Sequence, residues 1–218
     1  MQGDKMQAAD VTGRRPLASR DTSWARRFCR CLAETPVTPN QVSGLSVVMA
    51  LLATLAFWAS AAAPEVPRAG WLMLAALAIQ GRLLCNLLDG MLAIESGKAS
   101  PTGTLWNEVP DRVSDSAILV GVGMTIDDPA LGWAAAALAI LTAYVRVFAD
   151  SQGHRGDFGG PMAKPQRMAV VTLGALLAAA APLWHGHDEP LWLALWIVVL
   201  GSALTAWLRG LRLHRYLC

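Results

Sequence analysis

The chain has 218 residues, of which 54% are hydrophobic and only 16% charged, with a formal net charge of +2 and a mean hydropathy of +0.39. This rules out a disordered chain, which needs low hydrophobicity and high charge, and argues against a soluble globule, whose surface carries more charge. A net charge this small implies no nucleic acid, so the placement of the charges matters more than their sum.

In chain order, residues 1–20 are polar and lack the apolar region of a signal peptide, which predicts a disordered tail. Over residues 21–35, Trp24, Phe28 and Leu32 recur every four residues with Arg26, Arg27 and Arg30 between them, the pattern of an amphipathic helix lying in a membrane interface. Six apolar stretches follow, each close to the roughly 20 residues a spanning helix needs. They are Val42–Ala63, Ala69–Ala93, Gly103–Ile126, Pro129–Val145, Met168–Trp184 and Pro190–Leu208. The expected fold is therefore an all-α integral membrane protein with six transmembrane helices over residues 36–213 and an amino-terminal interfacial helix.

Lysine and arginine orient it. The amino-terminal segment, Lys98, the stretch Arg146, Arg155, Lys164 and Arg167, and the tail Arg209, Arg212 and Arg215 all fall on one side, whereas only Arg68 of the 18 basic residues falls on the other. By the positive-inside rule both termini face the cytoplasm across the inner membrane. Tryptophans near span ends, including Trp71, Trp133 and Trp192, read as an aromatic belt. Cys29, Cys31, Cys85 and Cys218 lack the spacing of a disulfide framework or a metal site and read as reduced thiols. His185 and His187 beside Asp188 form a weak metal-site pattern on the outer loop.

The second, third and fourth spans carry their polar residues at the cytoplasmic end. Charges at membrane depth normally face a bundle interior or a wet cavity, so three helices polar at one depth imply a single cavity open to the cytoplasm. Asn86 and Asp89 share a helix face with Arg82, while Asn107, Asp111 and Asp115 form a stripe at four-residue spacing. Two facing stripes of oxygen donors suit a hard divalent cation such as Mg²⁺, which would neutralise a transferring phosphoryl group. An Arg82–Asp89 ion pair and a structural cluster of Asp111, Arg112 and Asp115 are the simpler readings of the same residues.

The stretch from Asn86 to Asp111 resembles the signature of the CDP-alcohol phosphotransferases, D-x2-D-G-x2-A-R-x8-G-x3-D-x3-D, without a gap. Asp89, Gly90, Ala93, Gly103 and Asp111 match, while Asn86, Asn107 and Ile94 stand in place of two aspartates and the arginine. Thr38-Pro39-Asn40-Gln41-Val42-Ser43 resembles the family's start to the first span, and Tyr144-Val145-Arg146 with Gly156, Lys164-Pro165 and Arg167 resembles its region between spans four and five. The resemblance implies displacement of CMP from a CDP-linked lipid, CDP-diacylglycerol above all, by a small alcohol or phosphorylated alcohol, with Mg²⁺ or Mn²⁺ on the pyrophosphate. It implies Asp111 as general base and metal ligand and Asp89, Asn86 and Asn107 at the other ligand positions; Asp115 and Glu108, carboxylates at the same depth outside the motif, are alternative metal ligands. Pro39, Asn40, Gly90, Ala93 and Gly103 fall to the nucleotide, Arg146, Lys164 and Arg167 to an anionic acceptor. A homodimer is expected from the family alone. The second reading is a member that keeps the cavity and binds nucleotide or lipid without catalysis.

Overall fold

The computed structural model describes residues 22–95, 103–154 and 157–218. The tail expected over residues 1–20, Lys98, Arg155 and Gly156 lie outside the described residues, as do the side chains of Ile94 and Asn107 and the surroundings of Gly103. All regular structure among the described residues is helical: α1 (Ser23–Ala33), α2 (Pro39–Ala61), α3 (Glu65–Glu95), α4 (Gly103–Thr125), α5 (Pro129–Ser151), α6 (Lys164–Ala180) and α7 (Glu189–Leu217), with a 3₁₀ turn Ala181–Trp184 after α6.

Local chemistry sets several boundaries. Thr38 and Gln41 close a capping box at the head of α2, Thr38 Oγ1 accepting from Gln41 N at 3.3 Å and Gln41 Oε1 from Thr38 N at 2.9 Å, with Pro39 at the first helical position. Asp128 caps α5 by accepting from Leu131 N at 3.0 Å. Between α4 and α5 the backbones nearly touch: a Cβ on Gly123 would sit 2.6 Å from Gly132 Cα, so only glycine permits that approach.

Five helices are long and apolar enough to cross a membrane: α2, α3, α5, α6 with its 3₁₀ extension, and α7. The chain is a multi-pass membrane protein. Helix α4 equals α2 and α5 in length, but every stretch of spanning length within it contains Glu108, Asp111, Arg112 and Asp115, which is why it falls outside that set.

The six long helices pack as a closed ring in the order α2, α3, α6, α7, α5, α4 and back to α2. Small residues dominate their contacts, among them Ala50, Ala53, Ala75, Ala135, Ala139 and Ala175, as expected where lipid removes the hydrophobic drive and close backbone packing replaces it. Large apolar side chains point outward instead; Leu45, Val48, Leu55 and Trp58 line one exposed face of α2. Helix α1 docks on α3 through buried Ala25 and Cys29, beside Cys85, Leu88 and Leu92. Its aromatic stripe does not make that contact: Trp24 and Phe28 are each 52% exposed.

At one end of the ring Arg68 is buried and pairs with Asp188, joining the head of α3 to the α6–α7 loop, where His187 Nδ1 lies 2.8 Å from Asp188 Oδ2. The polar halves of α3 and α4, the head of α6 and the tail of α7 meet at the opposite end.

Candidate active site

Arg82 is fully buried on α3 and reaches across the ring to α4, although α3 packs mainly on α2 and α6. Its Nη2 lies 3.1 Å from Asp111 Oδ1 and donates to Asp111 O at 3.2 Å; its Nη1 lies 2.9 Å from Asp115 Oδ1, an ion-pair distance off the angle of a hydrogen bond. Asp111 Oδ2 accepts from Lys164 Nζ on α6, and Asp115 Oδ2 from Arg167 Nη2 at 3.3 Å. All four oxygens of Asp111 and Asp115 therefore face a cation.

The expected Arg82–Asp89 pair is replaced by these contacts. Seven residues of α-helix separate the two by about 10 Å along the axis, while the α4 carboxylates lie within reach of the guanidinium. Asp89 instead accepts from Ser43 Oγ of α2 at 2.7 Å on its Oδ2. Its Oδ1 is buried with no hydrogen-bond partner among the described residues, as is Nδ2 of half-buried Asn86 one turn earlier. Pro39 and Asn40 stand at the head of α2, one turn before Ser43, with Asn40 exposed. Gly90 and Ala93 follow Asp89 on α3 and are half-buried.

Glu108 is engaged by arginines. Its Oε1 accepts from Arg112 at 2.6 Å and from Arg146 of α5 at 2.8 Å, so it serves as an anchor for guanidinium groups. Beyond it opens a cavity of about 160 Å³ lined by Arg112, Arg146, Lys164, Arg167, Arg209 and Phe158. Arg146 also lies over the Phe158 ring, 5.6 Å from its centroid. Such a cluster of forked donors in a half-enclosed space is built for a phosphate or phosphate-like anion. The acceptor candidates Arg146, Lys164 and Arg167 are thus brought together, with Lys164 touching both the cavity and Asp111.

Arg209 is the residue the sequence reading missed. It is 4% exposed, donating from Nη1 to Thr142 O at 2.7 Å and from Nε to Gly159 O at 2.9 Å. The α5–α6 loop is strapped onto α7 there, reinforced by Arg212 on Asp157 and by Met162 N donating to Thr205 Oγ1. In the sequence Arg209 is the first charge after a clean apolar run and reads as an ordinary tail residue; the ring closure of α7 on α5 turns it inward.

A divalent cation finds a partial fit. The open Asp89 Oδ1 is a hard oxygen donor, and the Asn86 amide one turn away carries a carbonyl oxygen of the same kind beside its unpartnered Nδ2. Among the described residues no three His, Cys, Asp or Glu side chains group as a metal centre. An ion held by Asp89 and Asn86 would complete its shell with substrate phosphate oxygens and water, the usual habit of Mg²⁺.

Comparison with known proteins agrees with this architecture. Residues 36–207 match the family model for CDP-alcohol phosphatidyltransferase. The phosphatidylinositol phosphate synthase of Mycobacteroides abscessus is 25% identical over 201 residues, covering 87% of this chain and 84% of that one. That of Mycolicibacterium smegmatis is 29% identical over 147 residues, 62% of this chain and 63% of its own. In three dimensions the chain is similar to the crystal structure of Mycobacterium tuberculosis phosphatidylinositol phosphate synthase with CDP-DAG bound, at TM-score 0.62 and 24% identity over 87% of this chain and 92% of that one. The same enzyme has been solved in complex with manganese and citrate, at TM-score 0.62 and 23% identity over 87% and 88% of the two chains.

Proposed function

The chain belongs to the CDP-alcohol phosphatidyltransferase family, transferases of substituted phosphate groups in phospholipid synthesis that use divalent metals such as Mg²⁺ or Mn²⁺, and from that premise we propose that it moves the phosphatidyl group of CDP-diacylglycerol to the hydroxyl of a phosphorylated alcohol, releasing CMP. The observation that carries this reading is the junction at Lys164, where a carboxylate suited to general-base work meets an arginine-lined cavity of about 160 Å³. Two synthases it is similar to over much of their length are named for a phosphorylated product, which supports the same acceptor class.

The basic residues of α1, the head of α6 (Lys164 and Arg167) and the α7 tail collect at the end of the ring that holds the site, and Arg68 sits at the other. The positive-inside rule puts the site end in the cytoplasm. With α4 counted as a span whose polar half lines the cavity, the bundle has six spans, and α1 lies in the interface with Trp24 and Phe28 toward lipid.

In the transfer, the acceptor oxygen attacks the phosphorus that bears diacylglycerol, the anhydride P–O bond breaks and CMP leaves. The cavity arginines hold the acceptor phosphate and aim its hydroxyl toward α4. Lys164 is shared between Asp111 and that phosphate; when the phosphate takes the ammonium, Asp111 Oδ2 is freed to accept the hydroxyl proton. Asp89 and Asn86 would hold the divalent cation, whose chemistry is to neutralise pyrophosphate charge.

The test is CMP release by the purified protein in lipid nanodiscs given CDP-diacylglycerol, Mg²⁺ or Mn²⁺ and a panel of free and phosphorylated alcohols. Release with a phosphorylated acceptor is expected; no release with any of them refutes the proposal. The second reading, a binder without catalysis, is favoured by the occupation of every Asp111 and Asp115 oxygen by a cation. It predicts CMP binding by calorimetry with no turnover.

A further inference from the structure

We propose that Arg82 is a resident cation that takes the place of a divalent ion between Asp111 and Asp115, so that the site binds one divalent ion, at Asp89, and no second. The inference rests on the transferase reading for the purpose of the ion, but its evidence is separate.

Asp111 and Asp115 lie one turn apart on α4, the spacing at which two carboxylates share a cation. The cation between them is already part of the chain: Arg82 Nη2 lies 3.1 Å from Asp111 Oδ1 and Nη1 2.9 Å from Asp115 Oδ1. The remaining oxygens of the pair face Lys164 and Arg167, both on α6. A guanidinium keeps its charge at every pH the protein meets, and Arg82 is 0% exposed, pinned further by its bond to the Asp111 carbonyl. A divalent ion at that position would have to displace Arg82 from a fully enclosed seat.

The neighbouring sequence is matched to this arrangement. Asn86 follows Arg82 by one turn on the same face of α3. An aspartate there would draw the guanidinium along its own helix; asparagine leaves it to cross to α4. Asn107, one turn before Asp111, likewise adds no charge for a second ion. Asp89 Oδ1 and Asp115 Oδ1 both lack a hydrogen bond among the described residues, but Asp115 Oδ1 faces Arg82 Nη1 at 2.9 Å, so of the Asp89, Asp111 and Asp115 carboxylates only Asp89 keeps an oxygen with neither a hydrogen bond nor a facing cation.

The experiment counts ions rather than turnover. The purified chain in nanodiscs is titrated with Mn²⁺, and bound ions are counted by loss of the free-ion electron paramagnetic resonance signal, with and without CMP. One bound ion per chain is expected, falling to none in Asp89→Asn. Two ions in the unaltered chain, or one ion retained in Asp89→Asn, overturns the inference. Arg82→Met, which empties the seat, is expected to take up a second ion with Mn–Mn coupling in the spectrum and to regain thermal stability on adding Mn²⁺; a folded variant that still binds one ion overturns it. If Arg82→Met does not fold, the unaltered chain and Asp89→Asn decide the count. Absence of CMP release with a count of one would sink the transferase reading and leave this inference standing, while an active enzyme holding two ions would do the reverse.

Discussion

Asp111→Asn isolates proton transfer from architecture. Asparagine keeps the size of the side chain and an oxygen that accepts from Arg82 or Lys164, so the ring of helices has no steric reason to change. One contact survives as a bond from a cation to the amide oxygen, and the other is lost where the amide nitrogen, a donor only, faces the second cation, a cost of about 1.5–3 kcal/mol to the fold. Asp115 continues to neutralise Arg82 and limits the loss. The effect on catalysis is larger: a positioned general base is worth about 10²–10⁴-fold, or about 3–5 kcal/mol of barrier. The assay is CMP release under saturating acceptor and CDP-diacylglycerol, normalised to protein that elutes as a single species and binds CMP. The turnover number is expected to fall at least a hundredfold while CMP affinity changes by less than tenfold. Turnover within tenfold of the unaltered chain refutes the role of Asp111 as base and the unmasking of its Oδ2 by the acceptor phosphate.

Three further outcomes follow from the same geometry. An unphosphorylated alcohol cannot draw Lys164 from Asp111, so its slow transfer should accelerate when inorganic phosphate is added to occupy the cavity; a rate unchanged by phosphate would argue against the shared lysine. Arg209→Met removes a donor from both the cavity and the loop strap, raising the KM for a phosphorylated acceptor about tenfold to a hundredfold, the worth of one hydrogen bond to a charged group, with little change in the KM for CDP-diacylglycerol; equal effects on both would point to general loosening. Arg68→Met strips a buried partner from half-buried Asp188 at the far end of the ring and should lower stability by about 1–3 kcal/mol after allowing for solvent at Asp188, read by thermal unfolding in detergent, while specific activity stays constant.

Much of the bundle was legible in the sequence because lipid imposes a simple rule. Runs of apolar residues without charge predict spans, and five of the six expected stretches correspond to helices long and apolar enough to cross. The Thr38–Gln41 capping box could be read as well, since it depends on residues three apart. The stripe from Asp111 to Asp115 was assigned to a cavity from its depth, and Lys164 and Arg167 to an anionic acceptor from the family resemblance; the two sets meet. Partner choice was not legible, because it depends on ring order. Helical spacing put Arg82 with Asn86 and Asp89, yet the closure of the ring carries its guanidinium to α4. Arg209 was hidden for the same reason: the fold of α7 against α5, rather than any local pattern, separates it from exposed neighbours such as Arg215.

Transfer of a phosphatidyl group to a phosphorylated alcohol is tested most directly by following the acceptor oxygen. The acceptor is labelled with ¹⁸O at its hydroxyl and incubated with CDP-diacylglycerol, Mn²⁺ and the protein in nanodiscs, and the lipid and nucleotide products are weighed by mass spectrometry. The account predicts one labelled phospholipid, still carrying the acceptor's own phosphate, for each unlabelled CMP. Label in CMP, CMP formed alongside phosphatidic acid without the labelled lipid, or bound nucleotide with no product at all would contradict it.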